Sequence, residues 1–103
     1  MPKYIIRFKT NPEAWPADPA QVLALWEGVI GGGNALLEGG TLAEINWTSN
    51  LAGYAIMEAP SKEAVMGAVT PFFPLFDQEI DEAVPWAEGS SAILGGAKAA
   101  AGQ

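Results

Sequence analysis

Residues 41 to 59 read TLAEINWTSNLAGYAIMEA, and the fold turns on how this stretch is read. Thr41, Ala43, Ile45 and Trp47 alternate with Leu42, Glu44, Asn46 and Thr48, the period-two pattern of a strand. After Thr48-Ser49-Asn50 the alternation resumes, with Gly53, Ala55 and Met57 set against Tyr54, Ile56 and Glu58. Two strands joined by so short a polar link form a β-hairpin, and Asn50 suits a left-handed turn position.

Toward the N-terminus the hairpin is preceded by a helix and a strand. Asp18 is a good N-cap, Pro19 fits the first helical position, and Gln21 completes a capping-box pattern. Val22, Leu25, Trp26, Val29, Ile30, Gly33, Leu36 and Leu37 fall on one helical side, and Gly39 supplies a stop. Gly31-Gly32-Gly33 interrupts this helix with residues that each cost about 1 kcal/mol relative to alanine. The run either kinks the helix, splits it, or lets its backbone approach the sheet. Before it, Lys3 to Lys9 alternates Tyr4, Ile6 and Phe8 with Lys3, Ile5, Arg7 and Lys9, a strand with one apolar and one mixed face. Thr10 to Asp18 is a proline-bearing connection.

Toward the C-terminus the same order recurs. Ser61 caps a shorter helix whose inner side is Ala64, Val65, Ala68 and Val69, and Pro71 and Pro74 end it. Phe76 to Trp86 reads as the last strand, with Phe76, Gln78, Ile80, Glu82 and Val84 on one face and Asp77, Glu79 and Asp81 on the other. Residues 1–86 therefore form one domain, and residues 87–103 a tail of small residues. Gly95-Gly96 argues against a continuous helix there, though Ala97 to Ala101 can be helical. The tail is expected either to cross to a partner subunit or to be mobile.

The order β-α-β-β-α-β is that of the ferredoxin-like α+β sandwich, in which two helices cover one sheet face and leave the other open. The opening Tyr4-Ile5-Ile6-Arg7-Phe8, the Gly39-Gly40 lead into the hairpin, and the stretch from Phe76-Asp77 to Val84-Pro85 carry a resemblance to the dimeric α+β-barrel superfamily. That superfamily includes muconolactone isomerases and cofactor-independent monooxygenases of antibiotic biosynthesis, and the chain looks most like its uncharacterised small-domain families. The resemblance implies a homodimer in which two sheets pack face to face as a barrel. Several members use histidine as a haem ligand or an acid–base group. This chain has no histidine, which removes both roles.

Composition narrows the function classes. Of 103 residues, half are hydrophobic and 17% charged, an apolar balance that itself suggests area covered by a second copy. Five basic residues against twelve acidic ones give a net charge of −7, which repels phosphate backbones and argues against nucleic acid. The absence of cysteine leaves neither disulfides nor thiolate metal ligands. Neither a signal peptide nor a membrane-spanning run is visible, so a cytoplasmic protein without membrane association is expected.

Four polar residues stand in otherwise apolar strand faces: Arg7, Glu44, Asn46 and Tyr54. If those faces line a barrel interior, they can orient a small, mainly apolar ligand, with Trp47 and Trp86 as pocket walls or dimer contacts. Alternatively they are catalytic. Arg7 would anchor an oxyanion and Glu44 or Tyr54 would carry a proton in a cofactor-independent isomerase, cyclase or monooxygenase. Against both stands a structural reading, an Arg7–Glu44 pair or solvated rim charges, in a protein with only an assembly role. Asp77, Glu79, Asp81 and Glu82 are dense enough to hold a cation, but charges on an edge strand also discourage aggregation, and no metal is expected. Neither metal nor cofactor enters either reading.

Overall fold

The computed structural model describes residues 1–102. Four antiparallel strands form one sheet in the order β2-β3-β1-β4. They are β1 (Lys3–Thr10), β2 (Glu44–Trp47), β3 (Ala52–Glu58) and β4 (Phe76–Ala83). Helices α1 (Pro19–Glu38) and α2 (Lys62–Val69) complete the ferredoxin-like α+β sandwich, and α3 (Trp86–Ala100) follows it. β1 lies at the centre, where its alternation has the greatest effect. Tyr4 and Ile6 are buried against the helices, while Lys3, Arg7 and Lys9 are exposed on the open face.

The core sits mainly under α2. The Ser61 hydroxyl accepts from the amide of Ala64 at 3.2 Å, capping a helix that sends Val65, at 0% exposure, and Val69 onto Ile6, Ala55 and Met57. α1 is capped as its sequence predicts, with the Asp18 carboxylate accepting from Gln21 N. It runs unbroken through Gly31-Gly32-Gly33, so the glycines neither kink nor split it. A Cβ on Gly33 would stand 3.5 Å from Ile45 Cδ1, so the run permits close approach to the sheet. No residue of α1 is fully buried, and Ile30 and Leu37 of its apolar side are exposed.

An aromatic cluster holds the N-terminal part of α1 off the sheet. Trp26 stacks at 4.7 Å from Trp15 and meets Trp47 edge-on at 5.8 Å, and Phe8 packs between Trp47 and Phe76. Trp15 is fixed by its indole N–H, which donates to Leu75 O at 3.0 Å.

Three expectations need correction. First, the hairpin strand is shorter than its pattern. Regular pairing begins at Glu44, because the chain is still turning off α1 before it: Gly40 takes the left-handed conformation at φ 76° and Leu42 N donates to Leu36 O. Leu42 is thereby buried, on the side opposite to the one its alternation assigns. Second, Asn50 is not left-handed. The link Thr48 to Leu51 closes through Thr48 N and Ser49 N donating to Ala52 O, with Leu51 N donating to Ser49 Oγ, and needs no positive φ.

Third, the last strand ends at Ala83, and a helix begins at Trp86. Pro85 turns the chain, and α3 runs through Gly95-Gly96 without a break. Alanines on both sides of the pair offset its cost. α3 has no buried residue and extends away from the sandwich, which gives the molecule extents of 64 × 28 × 21 Å.

Candidate functional site

Strand alternation divides the sequence-predicted site residues between two faces. Cross-strand register brings four of them together on the open face. Arg7 pairs with Tyr54, and Tyr54 with Asn46, so three polar side chains form one row across β1, β3 and β2. Glu44 lies one step along β2, and its carboxylate accepts from Asn46 Nδ2 at 3.0 Å. Arg7 forms its ion pair with Asp81 on β4 rather than with Glu44, both partners being more than half exposed. In the neighbouring register Glu79 stands opposite Arg7 and Asp77 opposite Lys9, so the acidic edge strand is interleaved with the basic centre. Among the described residues no group of acids is arranged to hold a metal ion. The open face bears a wide depression of about 690 Å³, open to solvent and lined by Ile5, Arg7, Lys9, Tyr54 and Glu79 among others.

A smaller, half-open space lies on the other side of the sheet. Because the aromatic cluster holds α1 up, a cavity of about 250 Å³ remains between α1, the loop after α2, and the helix-facing side of the strands. Ile6 and Ala55 form its floor, Val29 and Ile30 its roof, and Trp47, Phe76 and Phe72 its walls. Gly53 is required here. A Cβ at that position would stand 2.3 Å from Asn46 O and 2.7 Å from Phe8 Cζ, so only glycine lets the Phe8 ring lie flat in the wall. None of the residues lining the cavity is ionisable. Its polar side chains are Asn34, exposed on α1, Gln78, half-buried on β4, and Trp47, whose indole carries one N–H donor.

Trp47 thus lines the cavity, whereas Arg7, Glu44, Asn46 and Tyr54 sit on the opposite face of the same sheet. Trp86 joins neither group: Pro85 turns the chain outward, and Trp86 opens α3 at 88% exposure. Gln78 and Asn34 were not singled out from the sequence. Gln78 could have been, because it is a polar residue between Phe76 and Ile80 on a face that must be apolar.

One titratable group is clearly perturbed. The Tyr4 ring is buried at the end of the sheet, and that burial, with the nearby Glu82 and Glu63 carboxylates, raises the phenol above its ordinary value. Tyr4 lines neither the cavity nor the open-face depression, so this shift belongs to the core.

Fold and site together define a small ferredoxin-like α+β domain with an apolar cavity between its sheet and its helices. Among solved structures it is similar to the crystal structure of muconolactone isomerase, with a TM-score of 0.67 and 23% sequence identity. The match covers 81% of this chain and 88% of that one, and at this identity the likeness concerns the fold. No protein-family model matches the sequence, and no curated protein matches it. Among the described residues no helix is long and apolar enough to cross a membrane.

Proposed function

We propose that this protein binds a small, mainly apolar molecule in the cavity between α1 and the sheet, and does so as a homodimer. The observation that carries the binding reading is the cavity itself: about 250 Å³, walled by aliphatic and aromatic side chains, with two amide side chains and one indole N–H as its polar groups. Its size lies just below the usual range of about 300–1,000 Å³ for ligand pockets, which suits a molecule of one or two rings. The absence of an ionisable lining residue supports holding over proton-transfer chemistry at this place.

Dimerisation is supported by surfaces that a single chain leaves uncovered. Ile93 of α3 is 75% exposed, and isolated helices of about 12–15 residues are marginal in water. A helix of this length, carrying two adjacent glycines and burying none of its residues, gains its stability by lying against another copy. The open sheet face, with Ile5, Tyr54 and Ile56 among mixed charges, is the second surface such a copy would cover.

A second reading is favoured by the row Arg7–Tyr54–Asn46 with Glu44 beside it. Two sheets packed face to face would enclose this row, and Arg7 could then stabilise an oxyanion while Glu44 or Tyr54 moved a proton in an isomerase, cyclase or monooxygenase without a cofactor. The two readings place the ligand on opposite sides of the sheet and are separable.

Native mass spectrometry of the purified protein tests both parts. The binding reading expects a dimer that carries a small neutral adduct, shed on denaturation. A bare monomer at micromolar concentration contradicts it. Turnover of the released compound that is unchanged in Arg7→Ala and Glu44→Gln would remove the enzymatic reading with these residues.

A further inference from the structure

The cavity has one polar group whose orientation is set by the protein. Gln78 Nε2 donates to the carbonyl of Val69 at 2.9 Å. Val69 is the last residue of α2 and the N-cap of the short 3-10 turn Thr70–Phe72, and the Gln78 amide donates to its carbonyl at this junction. A carbonyl oxygen can only accept. The amide nitrogen must therefore face Val69, and the two ends of the side chain cannot be exchanged. Gln78 Oε1 has no hydrogen-bond partner among the described residues, and no buried side-chain polar atom there is left unpaired, so this oxygen reaches open space. Gln78 shares the helix-facing side of β4 with Phe76 and Ile80 and lines the cavity there, while its place on the edge strand also borders the open-face depression.

The charges complement this placement. The five basic residues are Lys3, Arg7, Lys9, Lys62 and Lys98, and none lines the cavity. A bound carboxylate would lose its hydration, meet no cation, face the fixed Oε1 dipole, and approach a chain of net charge −7. A neutral hydroxyl or N–H would instead find a positioned acceptor in apolar surroundings.

We propose that Gln78 Oε1 is the specificity-determining acceptor of the cavity, selecting neutral ligands that carry a hydroxyl or N–H donor on an apolar body and rejecting anions. This inference rests on the cavity being the binding site, and adds the chemical class of the ligand. Gln78 acts by binding, as an acceptor held in place by α2.

Calorimetric titration of the full-length protein with 4-propylphenol, propylbenzene and 4-propylbenzoate at pH 7 tests it. The phenol is expected to bind at least about tenfold more tightly than the benzoate, whose charge the cavity cannot pair. In Gln78→Met, which keeps the side chain's length, the affinity for the phenol relative to propylbenzene is expected to fall about 2- to 12-fold, the worth of one neutral hydrogen bond. A relative affinity unchanged by the substitution overturns the role of Gln78, and benzoate binding as tightly as the phenol overturns selection of neutral ligands. Should Gln78→Met not fold, the wild-type protein decides. The side-chain amide signals of Gln78 in a nitrogen-15 correlation spectrum are expected to move more with the phenol than with propylbenzene, and equal shifts overturn the assignment. Binding by none of the three probes refutes the cavity as a ligand site. Tight binding of propylbenzene with no preference for the phenol refutes only the part assigned to Gln78.

Discussion

Gly53→Ala is the substitution whose consequence the structure defines most closely. The added Cβ would lie 2.3 Å from Asn46 O on the neighbouring strand and 2.7 Å from Phe8 Cζ. The first obstacle is backbone, where Trp47 and Gly53 pair across β2 and β3, and cannot yield without disturbing that pair. The second is a ring whose movement disrupts edge contacts to Trp47 at 5.4 Å and Phe76 at 5.6 Å. Overpacking of this kind costs about 1–3 kcal/mol, and each aromatic pair is worth about 0.5–1.5 kcal/mol beyond its buried area. The expected loss of stability is about 2–6 kcal/mol, read by urea unfolding followed through tryptophan fluorescence. For a domain of this size each kcal/mol lowers Tm by roughly 4–8 °C. Gly67→Ala is the control: it sits inside α2 with nothing within 4 Å of the added carbon, and is expected to stabilise by about 0.5–1 kcal/mol. Stability within about 0.5 kcal/mol of wild type for Gly53→Ala would refute the account of how β2, β3 and Phe8 build the cavity wall.

Arg7→Ala and Asp81→Ala each remove one partner of an exposed ion pair, and each is expected to change unfolding free energy by less than about 1 kcal/mol. A larger change in the dimer would show that the pair is enclosed between sheets. Spectrophotometric titration is expected to show a tyrosine component that ionises above the ordinary phenol range, and Tyr4→Phe to remove it. Because the Tyr4 phenol is raised in the folded state, its contribution to stability is complete below about pH 10 and is lost as pH rises through the folded value. Truncation after Gly89, which removes most of α3, is expected to weaken the dimer while leaving the far-ultraviolet spectrum of the sandwich in place. Unchanged dimer dissociation in light scattering would refute the crossing of α3 to a partner.

Much of the sandwich is legible in the sequence, because its signals are local and strong. The alternation of Tyr4, Ile6 and Phe8, the Asp18 and Ser61 caps, and the acidic outer face of β4 each state one element without reference to another. Leu42 is not legible in this way. Its side is set by the turn off α1, which overrides the strand pattern. α3 is missed because two adjacent glycines are a strong local signal against a helix, while the alanines that offset them carry no hydrophobic period. The candidate site shows the same division. Register places Arg7, Tyr54 and Asn46 in one row, but which side of the sheet holds a cavity depends on how high the aromatic cluster lifts α1. Trp15, Trp26 and Trp47 are far apart in sequence, and their meeting is a tertiary fact. Arg7 opposite Ile6 could have been assigned to the open face, since the helices cover the more apolar side.

The most direct test of the central claim is a crystal structure of the protein grown with 4-propylphenol. The account predicts the ring between α1 and the sheet, beside Trp47, with its hydroxyl within hydrogen-bond distance of Gln78 Oε1. Ligand density against Arg7 and Tyr54 on the open face, or a cavity filled by protein side chains, would contradict it.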